Sequence, residues 1–244
     1  MSMKKYLFFQ LIGPMVSWGE AAPGGDRHSL NTPTKSALLG FMQSCLGIPR
    51  EQTDNVEKFW SSYNFIVCGS ENPVWSSDYH TIQVPRFDKK KQYPTRKAEL
   101  ENDQLETILS QRDFYSDVWY VVAVHAHSEA PYKLEDLKLA MECPRFIPYL
   151  GRKANPTGLY LNPTIAEGDI KSQFSLYVNG CRKDFEKLGL RIPALQRIGY
   201  WEGEVEGLTP KRVMKRRDVP VSRKQWLFRE RSINCGEVFP EEKM

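Results

Sequence analysis

The segment order predicts an α+β chain built on a split βαβ, ferredoxin-like (RRM-like) palm, with a long insertion between its second and third strands. Apolar runs of strand length alternate with helical periodicity in the order strand, helix, strand, strand, helix. Residues 78–113 interrupt that order with too little hydrophobic content to form core. Residues 157–244 read as a β-rich C-terminal part, in which basic and apolar residues alternate over 211–231. At 244 residues, 41% of them hydrophobic, the chain is long enough for one sizeable core, and residues 1–244 read as a single domain.

Residues 6–12 are apolar except for Gln10, too short for a buried helix, and followed by Gly13-Pro14. They read as a central first strand, apolar on both faces, that stops at Gly13. The next segment, residues 13–31, carries Gly13, Gly19, Gly24 and Gly25 with Trp18 and Arg27-His28. An irregular loop of that length inside a domain is usually functional or disordered. Thr32-Pro33-Thr34-Lys35-Ser36 then opens a helix over residues 37–46, with Leu38, Met42 and Cys45 on one stripe and Gly47 as its end. Free amides beside Thr34, Lys35 and Ser36 suit a phosphate, and the same hydroxyls suit simple capping.

A short helix over residues 54–62 and a strand over 64–68 precede the insertion. There Arg86, Lys89, Lys90, Lys91, Arg96 and Lys97 stand beside Phe87 and Tyr93, with Glu99, Glu101, Asp103 and Glu106 following at once. Such a bipolar run is a protruding binding element or a wet charged loop. Residues 118–124, rich in Val with Trp119 and Tyr120, form the third strand and end at His125-Ala126-His127. The two imidazoles share a face, but no third ligand cluster stands nearby, so no metal or other cofactor is expected.

A second helix over residues 134–141, with Leu134, Leu137 and Met141 inward, delivers the chain into residues 143–156. Pro144, Pro148 and Pro156 make this an ordered loop. Arg145, Arg152 and Lys153 supply charge, Phe146 and Tyr149 supply rings, and Gly151 permits close backbone approach. The combination suits a phosphate-bearing strand with bases to stack, and equally a rigid loop with its rings tucked into the core. Further on, residues 174–178 read as a strand and 199–207 as a turn-rich acidic stretch. Residues 211–231 hold nine basic residues on the exposed face of one or two strands, and the tail after Gly236 is expected to fray.

Composition narrows the class. A net charge of +4 decides little about partners. Five cysteines at irregular spacing, with no CxxC pair, fit reduced thiols and a cytoplasmic protein better than a disulfide or zinc framework. No apolar run approaches the roughly eighteen residues of a membrane span, so no membrane partner is expected.

Ordered motifs add a resemblance. The first strand running into Gly13-Pro14-Met15, then Ser17-Trp18-Gly19, Pro33-Thr34-Lys35-Ser36, Leu38-Leu39-Gly40 and Leu46-Gly47-Ile48 are followed by Asp78-Tyr79-His80-Thr81, residues 111–117, Pro144-Arg145-Phe146 and residues 148–152. Over roughly residues 4–156 the chain resembles the CasD family, subunits of the type I-E CRISPR surveillance complex Cascade within the repeat-associated RNA-binding superfamily. The resemblance implies a non-catalytic clamp on the 5′ handle of CRISPR RNA (crRNA). It also implies a thumb, residues 78–113, that reaches the adjoining backbone subunit, contact with the large subunit, and target DNA met only through the complex.

Carried over by position, it places Arg112 and Tyr115 at the thumb's return, Tyr149, Gly151 and Arg152 in a glycine loop, and Lys35 and Ser36 at the helix start. The chemistry of the neighbouring residues adds Trp18, Thr34, Arg86, Arg145 and Lys153 to the expected RNA contacts. Ala154-Asn155 departs from the family pattern, and residues 162–210 match no part of it. The alternative within the superfamily is a metal-independent endoribonuclease that processes CRISPR repeat RNA. It would need a base and an acid from His28, His125, His127 or a tyrosine.

Overall fold

β1 (Lys5–Val16) is buried on both faces because it has a neighbour on each side and a hydrophobic layer above and below. The computed structural model describes residues 4–20, 26–49, 56–89, 91–222, 225 and 227–240. After β1 come β2 (Trp18–Gly19), β3 (Asp26–Arg27), β4 (Ser29–Leu30), α1 (Lys35–Leu46) and α2 (Val56–Ser61). Then follow β5 (Tyr63–Ser70), β6 (Val74–Pro85), α3 (Arg96–Leu100), β7 (Leu105–Ala126) and α4 (Leu134–Glu142). The chain continues through β8 (Thr164–Glu167), α5 (Ile170–Lys187), β9 (Leu195–Trp201), β10 (Arg212–Ser222) and β11 (Leu227–Glu237).

The main sheet runs β10-β11-β9-β5-β7-β1-β8, with β3 and β6 also paired to β7. All its pairings are antiparallel except β3 on β7. Alternation along the strands sends two sets of side chains to two cores. Leu7, Phe9, Val67, Tyr120 and Val122 meet Leu38 and Met42 of α1 and Leu137 of α4 on one face. Tyr6, Phe8, Ile66, Trp119 and Val121 meet Ile170, Phe174, Val178 and Phe185 of α5 on the other. Because α5 covers that second face, the flat of the sheet is not open for base stacking.

Several expectations are corrected. Residues 174–178 lie in α5, not in a strand. Ile170, Phe174, Tyr177, Val178, Cys181 and Phe185 are buried at helical spacing, and Asp169 caps the start by accepting from the Ser172 amide at 2.9 Å. Gly199, expected in a turn, belongs to β9. Gly13-Pro14 does not stop β1. β8 flanks only residues 5–8, so Pro14 sits beyond the paired edge, where a missing amide costs little. The tail does not fray at once: Val238 is buried and its amide donates to Arg197 O at 3.1 Å.

The insertion is a ribbon. Residues 74–85 of β6 pair in unbroken register with residues 105–116 of β7, and the short helix α3 lies near the tip. Asp54 of the expected second helix, Gly24, Gly25, Lys90, Trp226 and residues 241–244 lie outside the described residues. Among the described residues no helix is long and apolar enough to cross a membrane.

Candidate nucleic-acid interface

α1 and the proline loop are built as one unit. Thr34 caps α1 through Oγ1, which accepts from the Ala37 amide at 3.2 Å. At the other end Gly47 takes a left-handed conformation, and the loop completes the cap: Arg145 N donates to Cys45 O at 3.0 Å and Phe146 N to Ser44 O at 3.2 Å. Leu150 is buried, its carbonyl accepts from Ser17 N at 3.1 Å, and its amide donates to Asn155 O at 2.7 Å. Asn155, the residue that departed from the family pattern, is thus the buried closure of this turn.

Gly151 has φ +86, and a Cβ there would stand 1.8 Å from Ser17 O. The close backbone approach that the glycine permits is to the protein's own chain, which crosses over it at Ser17. Gly151→Ala is expected to unseat the loop and cost at least about 2 kcal/mol of stability. Thermal unfolding, together with faster proteolysis within residues 143–156, checks it.

Between α1, this loop and β10–β11 lies a groove of 1030 Å³. Of the expected residues, Thr34, Ser36, Tyr149, Gly151 and Lys153 line it. Arg27, Gly40, Phe41, Arg217 and Phe228, none of them among the expected RNA contacts, line it too. Beside the groove runs a cationic row. Arg27 of β3 stands opposite Arg112 of β7 in register. Arg152 reaches over from the loop, donating through Nη2 to Arg27 O at 3.2 Å, with its guanidinium carbon 4.8 Å from the Phe114 ring centroid. Burial pulls the Arg152 pKa down, and the charges of Arg112 and Arg27 pull it further, against Asp113 and Asp78. Arg112, Arg152 and Tyr149 therefore come to one side of the molecule.

Other expected residues are placed elsewhere. Trp18 is 1% exposed and edge-on to Tyr120 at 5.7 Å, so no base can stack on it. Lys35 is 5% exposed, and its ammonium bridges both carboxylate oxygens of Glu202 at 2.9 and 2.8 Å. Its backbone N–H donates to Asp218 Oδ2 at 2.8 Å, so an internal carboxylate occupies the helix start that was expected to hold phosphate. Thr34 is buried and spent on capping, whereas Ser36 is half-buried at the groove.

Arg145 is exposed with its aliphatic carbons packed over Gly47, and it does not line the groove. Tyr115 packs partly into the hydrophobic core. Arg86 lies at the ribbon's far end, 3.8 Å from Glu106, in a separate pocket with Phe87 and Lys91. Arg216 and Arg231, expected on an exposed strand face, turn inward. Arg216 donates to Thr32 Oγ1 at 3.2 Å, and Arg231 donates to Asp218 at 2.6 and 2.9 Å.

Among the described residues no group of three or more His, Cys, Asp or Glu is placed to hold an ion. His125 bonds Lys5 O at 3.2 Å, and burial lowers its pKa. His28 instead anchors β3 and β4 to the ribbon, with Nδ1 2.9 Å from Asp113 Oδ2, while Ser77 donates to Asp113 Oδ1 at 2.8 Å. The bond to Asp113 raises the His28 pKa. Burial pushes Asp113 up, but the His28 and Ser77 bonds outweigh it and hold the carboxyl below its ordinary value.

A raised histidine stabilises fully below its unfolded pKa of about 6.5 and loses that contribution as pH rises through the folded value. Amide exchange in residues 26–30 is therefore expected to speed up, beyond its intrinsic pH dependence, as the pH rises above about 6.5. His28→Ala should remove that extra dependence; its persistence in the variant would contradict the assignment.

The family of the CRISPR-associated protein (Cas_Cas5) matches residues 6–233. The CRISPR system Cascade subunit CasD of Escherichia coli (strain K12) is 33% identical over 162 residues, 63% of this chain and 68% of that protein. A solved chain of a CRISPR RNA-guided surveillance complex superposes with TM-score 0.61 at 21% identity, covering 96% of this chain and 90% of that one. The crystal structure of a Cas protein gives TM-score 0.56 at 19% identity, covering 96% and 94%. These two likenesses share the mixed α/β fold and its large antiparallel sheet. With the family match spanning nearly the whole described chain, the protein belongs to the CRISPR-associated protein (Cas_Cas5) family.

Proposed function

We propose that the chain is a CasD-type subunit of a type I-E Cascade complex and clamps the 5′ handle of crRNA without cleaving it. The observation that carries this reading is the convergence of Arg27, Arg112 and Arg152 from three separate segments beside a groove lined by Tyr149 and Lys153. Guanidiniums gathered this closely repel one another, and a phosphate backbone relieves that repulsion with charge-assisted hydrogen bonds. Charge then supplies the grip while rings and groove shape supply the preference, and target DNA is read by guide pairing in the assembled complex.

In this reading the order β8-β1-β7-β5, with α1 and α4 on one face, is the ferredoxin-like palm. The β6–β7 ribbon is the thumb, residues 78–113 forming most of it. Exposed Trp75, Tyr79 and Phe87 suit the ribbon to a protein surface, the adjacent backbone subunit, while the large subunit meets the assembled end. The test is salt-dependent binding of labelled single-stranded RNA to the full-length protein. Four phosphate contacts, from the three arginines and Lys153, predict a log-affinity against log-salt slope of about −3. A slope near zero would contradict the clamp. RNA cut during metal-free incubation would favour the endoribonuclease instead.

A further inference from the structure

β10 and β11 lie outside the four palm strands, yet they form a wall of the groove through Arg217 and Phe228. Buried charge sets their position. Asp218 is 3% exposed and accepts from the Lys35 amide, from Arg231 Nε at 2.6 Å and from Arg231 Nη2 at 2.9 Å. Glu202 holds the Lys35 ammonium and lies 3.5 Å from Arg231 Nη1. Such a cluster adds little net stability over a hydrophobic one, but it fixes one geometry for Arg217, the neighbour of Asp218.

Gly40 lines the same groove from the middle of α1. A Cβ added there meets nothing within 4 Å, and no left-handed φ demands a glycine. Glycine weakens a helix interior relative to alanine, so folding alone favours Ala at this position. What the missing side chain preserves is open space in the groove. At 1030 Å³ the groove is at the upper end of the roughly 300–1,000 Å³ common for ligand sites.

Resting on the RNA-binding reading above, we propose that the groove takes one unpaired nucleobase laid against α1 at Gly40. Phe228 and Tyr149 supply ring surfaces to it, and Arg217 with Lys153 holds its flanking phosphates. The C-terminal hairpin is then part of the binding site and discriminates the base that enters.

Gly40→Ala separates the two demands on α1. In the full-length protein it should raise the melting temperature by about 2–4 °C while weakening binding of a labelled, mixed-sequence single-stranded RNA by about tenfold, the scale of one lost base stack. Phe228→Ala should weaken binding to a similar degree, and Arg217→Ala should make the salt slope shallower by about 0.7. If all three variants bind like the unmodified chain while the Arg112→Ala, Arg152→Ala double variant loses binding, RNA lies on the cationic row without entering the groove and this inference fails. If neither set changes binding, the RNA-binding reading itself fails. A Gly40→Ala protein that melts lower would also overturn the inference, because packing would then explain the glycine.

Discussion

Asp218→Ala lowers the unfolding free energy by about 3–5 kcal/mol, the cost of leaving buried charge without its partner. Asp218 takes two hydrogen bonds from Arg231 and one from the Lys35 amide, all inside the protein. Without it, Glu202 faces both Lys35 and Arg231, and the α1 amide loses its acceptor. At about 2–4 °C per kcal/mol for a chain of this size, the melting temperature falls by roughly 6–20 °C. Asp218→Asn retains an acceptor but not the charge and is expected to fall between. A change in Asp218→Ala below about 1 kcal/mol would mean that water reaches the cluster and that the hairpin is not held by it.

The Arg112→Ala, Arg152→Ala double variant loses RNA affinity by about a hundredfold or more, since each charge-assisted hydrogen bond contributes about 1.5–3 kcal/mol. Its log-log salt slope becomes shallower by about 1.4, the share of two phosphates. Stability should hardly move, because removing two of three neighbouring guanidiniums relieves their repulsion and offsets the lost Arg152 contact with Phe114. Arg152→Lys keeps the charge but not the planar contact with the Phe114 ring and the Arg27 carbonyl, so it recovers only part of the affinity. Arg86→Ala, at the far end of the ribbon, leaves binding to the isolated chain unchanged. Affinity insensitive to the double variant, with an unchanged slope, would place the phosphates elsewhere.

Where local pattern decides structure, the sequence was a good guide. Residues 6–12, apolar but for Gln10, and residues 118–124, a continuous apolar run, became the central strands, while α1 followed its stripe and caps and α4 its stripe. Residues 174–178 misled because five residues, Phe-Ser-Leu-Tyr-Val, alternate like a strand. The 3.6-residue period emerges only across residues 170–185. The ribbon was legible as an insertion but not as paired strands, since β6 and most of residues 105–112 in β7 are exposed or half-exposed and carry no core signal.

Site chemistry was legible by residue type and not by burial. Lys35 reads as a phosphate ligand until Glu202 and Asp218, 167 and 183 residues away in the chain, arrive beside it. Trp18 reads as a stacking platform until Tyr120 covers it. The need for a glycine at 151 was visible, but its cause, the carbonyl of Ser17, belongs to a distant segment. Arg217 and Phe228 went unmarked within a basic run because only the packing of β10–β11 beside α1 shows which of its side chains border the groove.

Photocrosslinking of thiouridine-bearing single-stranded RNA to the full-length protein, read by mass spectrometry, tests most directly whether the cationic row and the groove form one RNA site. Crosslinks should fall at Tyr149, at Phe228 and in the segments that carry Arg27 and Ser36. Crosslinks confined to the exposed side of α5 around Leu176, or to the ribbon tip around Phe87, would place the RNA away from the converged arginines and contradict the clamp.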